Sequence, residues 1–239
     1  MTAIDKILTK TGHRPYAMPG GKWRYYQEWN RAVFLHWRVP ETVLRPLVPK
    51  RLTIDTYGGN AYVSLVAFTM EQIRPRYLPA VGFISCFDEI NLRTYIDMDG
   101  KKGVYFLNIE AGKSLSSAVA RGLSGLPYEK SDMVRTPGGY QSNNGMKNFF
   151  LDLSYTVGGD IDEKSELDSW LTERYCLYLD KGSQLYRYDI HHEEWKLKTV
   201  VLDRTSVGYR LGALQLTGGP DMTHYSDGVK VVAWKRTVV

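Results

Sequence analysis

The sequence predicts a mainly β fold (α+β) with two or three short helices, and three observations carry that reading. Tyrosines number 17, against 6 tryptophans and 7 phenylalanines, and tyrosine suits a half-buried pleated surface. Two-residue alternation recurs, most cleanly at Glu89–Met98 and Phe149–Val157. Short turn signals, Asp99-Gly100 and Asp180-Lys181-Gly182-Ser183, each join two strand-like runs.

Residues 1–22 read as a loose arm ending in Pro19-Gly20-Gly21, and residues 23–239 as a single domain. Val33–Arg38 is expected as a buried strand. Pro40 opens a short helix through Leu44, since proline suits the first helical turn; Pro46 and Pro49 end it. Tyr62–Met70 is apolar and β-branched enough for a core strand after the Gly58-Gly59-Asn60 turn. Residues 71–84, with Pro75, Pro79 and Gly82, read as a loop with adjacent strand ends.

Glu89–Met98 places Ile90, Leu92, Thr94 and Ile96 on one face and Glu89, Asn91, Arg93 and Tyr95 on the other. Gly103–Ile109 returns as its hairpin partner. Ser114–Ser124 carries the clearest helical pattern, with Ser114 as N-cap and Leu115, Ala118, Val119, Gly122 and Leu123 in one apolar stripe, stopped by Gly125 and Pro127. A strand over Phe149–Val157 follows, then a short helix over Glu166–Thr172 carrying Leu167, Trp170 and Leu171. Arg174–Leu179 and Leu185–Ile190 form a second hairpin, and Val229–Trp234 is the last strand.

Composition narrows the function classes. The chain is 43% hydrophobic and 24% charged, a globular balance. The net charge of +5 is scattered among acids, and the basic stretch at Arg45, Lys50 and Arg51 is broken by two prolines, so no nucleic-acid partner is expected. No run approaches the roughly eighteen apolar residues of a membrane span. The opening residues Met1–Lys10 carry charges without an apolar leader, so the expected location is cytoplasmic. Cys86 and Cys176 lie far apart with no CxxC spacing. Phosphate-loop, dinucleotide and GxSxG motifs are missing, and no cofactor is expected. His191-His192-Glu193-Glu194 is the one stretch that invites a metal. Adjacent strand residues point to opposite faces, so the expectation is one buried and one exposed ring, with no metal bound.

The polar row Glu89–Asn91–Arg93–Tyr95 admits two readings. It is the solvated face of an outer strand, or it lines a pocket, presenting a carboxylate, an amide and a guanidinium side by side. In the second case it binds a small polar acid through the guanidinium and moves a proton through the carboxylate. His36 and His192, each beside large aromatics, fit either a pocket acid–base role or a hydrogen-bonded core role. Trp37, Trp170, Trp195 and Trp234 read as core.

Several blocks, in one order, resemble the YqjF-like family of uncharacterised bacterial proteins. They include Phe34-Leu35-His36-Trp37, Pro40-Glu41-Thr42-Val43-Leu44-Arg45-Pro46, Asn91-Leu92-Arg93-Thr94-Tyr95 and Leu126-Pro127-Tyr128. Leu171–Tyr178, Ile190-His191-His192 with Trp195, and His224-Tyr225-Ser226 continue the match, which runs from about Gly12 to Trp234. That family in turn is similar to acetoacetate decarboxylase. The resemblance implies a barrel-like β domain with a buried small-molecule pocket, in a homo-oligomer. Decarboxylase chemistry rests on a lysine that forms a Schiff base with a β-keto acid, in a Tyr-Pro-Lys-Lys arrangement. Here Tyr128 and Glu129 stand at the two lysine positions, so the resemblance implies a pocket without its covalent step.

Other decarboxylase positions are partly kept. Its early arginine resembles Arg38, one pocket glutamate resembles Glu89 in Cys86-Phe87-Asp88-Glu89, and a second falls near Ser64, where no carboxylate stands. Lys130, two residues past Tyr128, is either a replacement nucleophile or a surface lysine. The combined expectation is a pocket for a small carbonyl or carboxylate compound, with Arg38, Asn91 and Arg93 binding it and Glu89 and Tyr128 handling a proton. The rival readings are a non-catalytic ligand-binding or sensing protein and a scaffold whose pocket has closed around aromatic side chains.

Overall fold

The computed structural model describes residues 2–81, 85–112 and 126–239. The helix expected over Ser114–Ser124 lies outside them. The chain runs through α1 (Ala3–Thr9), β1 (Tyr25–Val39), α2 (Glu41–Leu44), β2 (Thr53–Ile54), β3 (Ala61–Pro75), β4 (Phe87–Met98) and β5 (Lys101–Ala111). It continues through β6 (Glu129–Lys130), β7 (Asp132–Thr136), β8 (Gly139–Asn144), β9 (Phe149–Asp160), α3 (Glu166–Thr172), β10 (Cys176–Lys181) and β11 (Gln184–His192). The last strands are β12 (Lys198–Leu211), β13 (Leu214–Leu216), β14 (Met222–Ala233) and β15 (Thr237–Val238). The fold is mainly β with short helices, as the alternation requires.

Strand pairing runs β11-β10-β5-β4-β3-β1-β14, and β14 pairs back onto β11, so seven strands form a closed ring of pairings. From β14 the sheet also continues outward through β12, β9, β8 and β7. Consequently β1, β3 and β4 are covered on both sides. Val33 and Leu35 on β1, Val63 and Leu65 on β3, and Ile90 and Leu92 on β4 pack outward against Phe149, Leu151 and Tyr209 of the second run. The inward face carries Phe34, Val66 and Phe68, which meet Ile190, Trp195 and Val231 across the ring. Each such apolar side chain contributes about 1.5–3 kcal/mol on burial. The β4 pattern is therefore not an apolar-in, polar-out strand: Glu89, Asn91, Arg93 and Tyr95 are buried too.

Two joints hold the ring's shape. At the β4–β5 hairpin, Met98 pairs Lys101 and the two turn residues Asp99 and Gly100 have φ of 55° and 80°, the left-handed pair that a tight right-twisted hairpin needs. Between β5 and β10 the pairing is parallel, Leu177 opposite Val104. There a Cβ on Gly103 would sit 2.6 Å from the Cys176 carbonyl oxygen, so only glycine allows the approach.

The N-terminal residues are not a loose arm throughout. Thr2 and Asp5 close a capping box on α1, and Ile7 buries against Trp23, Tyr26 and Trp234. His191 Nε2 donates to the Ile7 carbonyl at 2.9 Å, while Arg14 donates to His191 Nδ1 and the Ile190 carbonyl. This corrects the expectation for the histidine pair. His191 and His192 do diverge, but both are fully buried, because the N-terminal segment covers one face of β11 and the ring interior the other. Among the described residues no three His, Cys, Asp or Glu side chains gather as a metal site.

Candidate functional site

Inside the ring lies a cavity of about 480 Å³. Strand register sets its levels. His36, Ser64 and Arg93 share one level across β1, β3 and β4; Phe34, Val66 and Asn91 share the next; Phe68 and Glu89 the one beyond. Glu89, Asn91 and Arg93 all line the cavity, because alternate residues of one strand face the same side. Tyr128 joins them from the chain just before β6.

Glu89 is 3% exposed. Its Oε2 accepts from the Tyr128 hydroxyl at 3.0 Å and its Oε1 from Asn91 Nδ2 at 3.4 Å. Burial pushes its pKa up to about 7, against the two hydrogen bonds that favour the carboxylate. Burial, together with the Glu89 charge, holds the Tyr128 phenol well above its usual pKa. The carboxyl therefore titrates near neutrality and the phenol stays protonated.

Arg93, four residues along β4, is a separate centre. Its Cα lies roughly 13 Å from that of Glu89 at about 3.3 Å per strand residue, and Glu89's acidity is set by burial, Tyr128 and Asn91 alone. One guanidinium nitrogen donates to the Leu171 carbonyl at 3.4 Å, the rings of Phe34 and Tyr95 lie 5.8 and 6.0 Å away, and Nε has no partner. Among the described residues no carboxylate lies within ion-pair distance of it; Ser64 stands opposite on β3. Burial pulls its pKa down against the favourable interaction with Tyr95, and the nearby Arg174 charge lowers it further. Arg174 also lines the cavity; it is paired with Asp55 at 2.7 Å and leaves one nitrogen unpartnered.

Aromatic side chains form a further wall. Trp29 and Trp195 stack with centroids 6.1 Å apart, Phe68 lies 5.7 Å from Trp29, and His192 lies 6.0 Å from Trp29. His192 Nδ1 donates to the Glu193 carbonyl at 2.7 Å, which leaves Nε2 as a lone-pair acceptor. Among the described residues neither that atom nor Trp29 Nε1 has a partner, and both residues line the cavity. Burial lowers the His192 pKa, so the ring is a neutral base.

Behind Arg93 runs a buried chain of polar contacts. Asp168 Oδ1 meets His224 Nε2 at 2.8 Å, His224 Nδ1 meets His36 Nε2 at 3.2 Å, His36 Nδ1 meets Ser64 Oγ at 2.6 Å, and Ser64 meets the Tyr95 hydroxyl at 2.6 Å. Tyr95 in turn lies 2.9 Å from the Leu171 carbonyl that Arg93 also touches. His36 thus sits beneath the cavity rather than in its lining.

Two expected residues fall elsewhere. Arg38 is exposed and does not line the cavity. It has the inward parity of Phe34 and His36, but it pairs Tyr62 one level past Arg93, where the strand reaches solvent; its backbone N–H donates to Asp221. Lys130 is a surface lysine, its side chain 59% exposed beside Asp132. The lysines that do line the cavity, among the described residues, are Lys181 and Lys235, both exposed at its mouth. Trp29, Arg174 and the His224–Asp168 contact join the site from segments with no polar alternation of their own. The Ser165-Glu166-Leu167-Asp168 capping pattern was the one signal available for Asp168.

Comparison with known proteins agrees with this architecture. The chain is 35% identical over 227 residues to the uncharacterized protein YqjF of Bacillus subtilis (strain 168), covering 91% of this chain and 93% of that protein. Among solved structures, an acetoacetate decarboxylase superposes with a TM-score of 0.59 at 17% identity, covering 100% of this chain and 98% of the other. The enduracididine biosynthesis enzyme MppR complexed with pyruvate gives a TM-score of 0.60 at 13% identity, over 94% and 93% of the two chains. These structural likenesses establish an acetoacetate decarboxylase-like fold. Residues 26–230 match the model of DUF2071, described as an uncharacterized conserved protein, and the chain belongs to that family.

Proposed function

We propose that the cavity binds a carbonyl-bearing carboxylate and moves a proton on it without a covalent bond to the protein. The observation that carries this reading is Arg93, a buried guanidinium with no carboxylate partner among the described residues. An uncompensated buried charge is costly by several kcal/mol, and an anionic ligand supplies what the fold withholds. The seven-strand ring is read as a barrel whose interior is the binding site. Two structural neighbours are named for acetoacetate or for a pyruvate complex, which supports oxo acids as the ligand class. The covalent step is left out because position 128 is a phenol bonded to Glu89.

Glu89 titrates near pH 7, so it can take a proton from carbon beside a carbonyl and return it. The electron pair moves onto the carbonyl oxygen, and the Tyr128 hydroxyl is the nearest donor for the developing charge. The reading without turnover, a binding or sensing protein, is favoured by one feature: Tyr128 and Glu89 already satisfy each other. Proton NMR in deuterium oxide separates the two. The wild type is expected to speed loss of the protons beside the ketone of an oxo acid whose carbonyl lies several carbons from its carboxylate, such as 6-oxoheptanoate, and Glu89→Gln to abolish that while binding is kept. Binding with no exchange above the buffer rate leaves the sensing reading; no binding of any carboxylate removes both.

A further inference from the structure

Resting on that reading, we infer that the acid this cavity takes is an aryl-substituted carboxylate of about ten heavy atoms carrying a polar group on its ring, rather than a three- or four-carbon acid. Size is the first argument. The cavity of about 480 Å³ holds the liquid volume of about sixteen waters at ~30 Å³ each. A three-carbon oxo acid has six heavy atoms and would leave most of that space to water.

Reach is the second. Arg93 and Glu89 face the same interior, but their Cα atoms stand roughly 13 Å apart along β4. A short acid anchored on Arg93 does not reach Glu89. A molecule that engages both ends must be long, with its carboxylate and its reacting carbon separated or its body extended.

The wall chemistry then selects a flat, polar-tipped body over an alkyl chain. Stacked Trp29 and Trp195, with Phe68 beside them, offer ring faces, and aromatic pairs contribute beyond their buried area. In the same wall the Trp29 Nε1–H is an unpartnered donor and His192 Nε2 an unpartnered acceptor, on rings 6.0 Å apart. An aryl hydroxyl satisfies both, accepting from Trp29 and donating to His192. An alkyl chain would leave two buried polar atoms unpaired. Exposed Lys181 and Lys235 at the mouth draw an anion inward.

Isothermal titration of the wild-type protein with four acids tests this: pyruvate, octanoate, 3-phenylpropionate and 3-(4-hydroxyphenyl)propionate. The hydroxyaryl acid is expected to bind at least tenfold tighter than octanoate or pyruvate, and tighter than its phenyl counterpart. Equal or tighter binding of pyruvate or octanoate overturns the inference and leaves the carboxylate reading standing. If none of the four binds, the carboxylate reading itself fails. Trp29→Leu should weaken the hydroxyaryl acid and leave pyruvate unchanged; quenching of tryptophan fluorescence in the wild type gives the same information should that variant not fold, and no quenching at saturation places the ring elsewhere and overturns the inference.

Discussion

Tyr128 donates its hydroxyl to Glu89 Oε2 across 3.0 Å, and both side chains are buried in the ring interior. A carboxyl in that setting is harder to ionise, and its pKa rises from 4.5 to about 7. The folded state therefore holds a proton on Glu89 that the unfolded chain has released between those pH values. Its stabilising effect is fully present below pH 4.5 and is lost as pH rises through about 7, a change of at most roughly 3 kcal/mol. Glu89→Gln removes this dependence, because the amide oxygen still accepts from Tyr128 and does not titrate. Urea unfolding at intervals from pH 4.5 to 8.5 should show the variant gaining on the wild type as pH rises. Parallel curves would mean Glu89 does not titrate in that window.

The same pair closes the covalent route. A phenol cannot form an imine, and Lys130 is held at the surface 3.8 Å from Asp132. Borohydride reduction in the presence of acetoacetate or pyruvate should leave the intact mass unchanged. An adduct mapped to Lys130 or to Lys113 would show that another lysine has taken over.

Sequence pattern revealed the strands whose periodicity is unbroken. On β4 the alternation is clean, and it placed Glu89, Asn91 and Arg93 on one face correctly. It could not say whether that face was wet, since burial on both sides comes from β12, β9 and the ring, far away in sequence. By contrast β12 carries Lys198, Asp203 and Arg204 and slips register twice, so its inward residues Val200, Val207 and Tyr209 fall out of phase and no strand was read there. Polar β8, Gly139–Asn144, hides for a similar reason: its buried positions are Tyr140, Ser142 and Asn144. Arg38 was placed by analogy with a distant fold, and analogy fixes a strand more reliably than the level at which that strand leaves the cavity.

The chain from Asp168 to Tyr95 fixes proton positions in a way spectroscopy can read. Desolvation lowers the His224 and His36 pKa values, while at Asp168 burial is outweighed by hydrogen bonds from Ser165 and His224, which lower its pKa. At neutral pH, then, both rings are neutral and Asp168 is a carboxylate. Asp168 can only accept, so His224 carries its proton on Nε2, His36 must donate from Nε2 to His224 Nδ1, and Ser64 must donate to His36 Nδ1. Nitrogen-15 spectra should find both histidines as Nε2–H tautomers at pH 7. A doubly protonated His224 would reverse the donors from His224 Nδ1 to Tyr95 while Asp168 still accepts, leaving the Tyr95 proton on the Leu171 carbonyl alone.

Arg93 gives the sharpest test, because stability and binding should move in opposite directions. Its charge is buried, Nε is unpartnered, and Ser64 rather than a carboxylate faces it across β3. Replacing a buried charge that lacks a counter-ion with an apolar side chain of similar length removes a desolvation cost and adds packing against Phe34 and Phe106, so Arg93→Met should unfold at the same or higher urea concentration. Replacing whole buried ion pairs by apolar residues of similar volume is neutral or stabilises by about 1–4 kcal/mol, which sets the scale. The exchange gives up the long 3.4 Å contact to the Leu171 carbonyl, which Tyr95 also approaches, and the interaction with Tyr95 itself. Over the same exchange, calorimetry should show every carboxylate losing its heat of binding, since no other cation of the described lining is both buried and without a carboxylate; Arg174 is held by Asp55. A variant that is several kcal/mol less stable would show that Arg93 is a structural cation with a compensating partner. A variant that still binds the acids would move the anion site to Arg174 or the mouth.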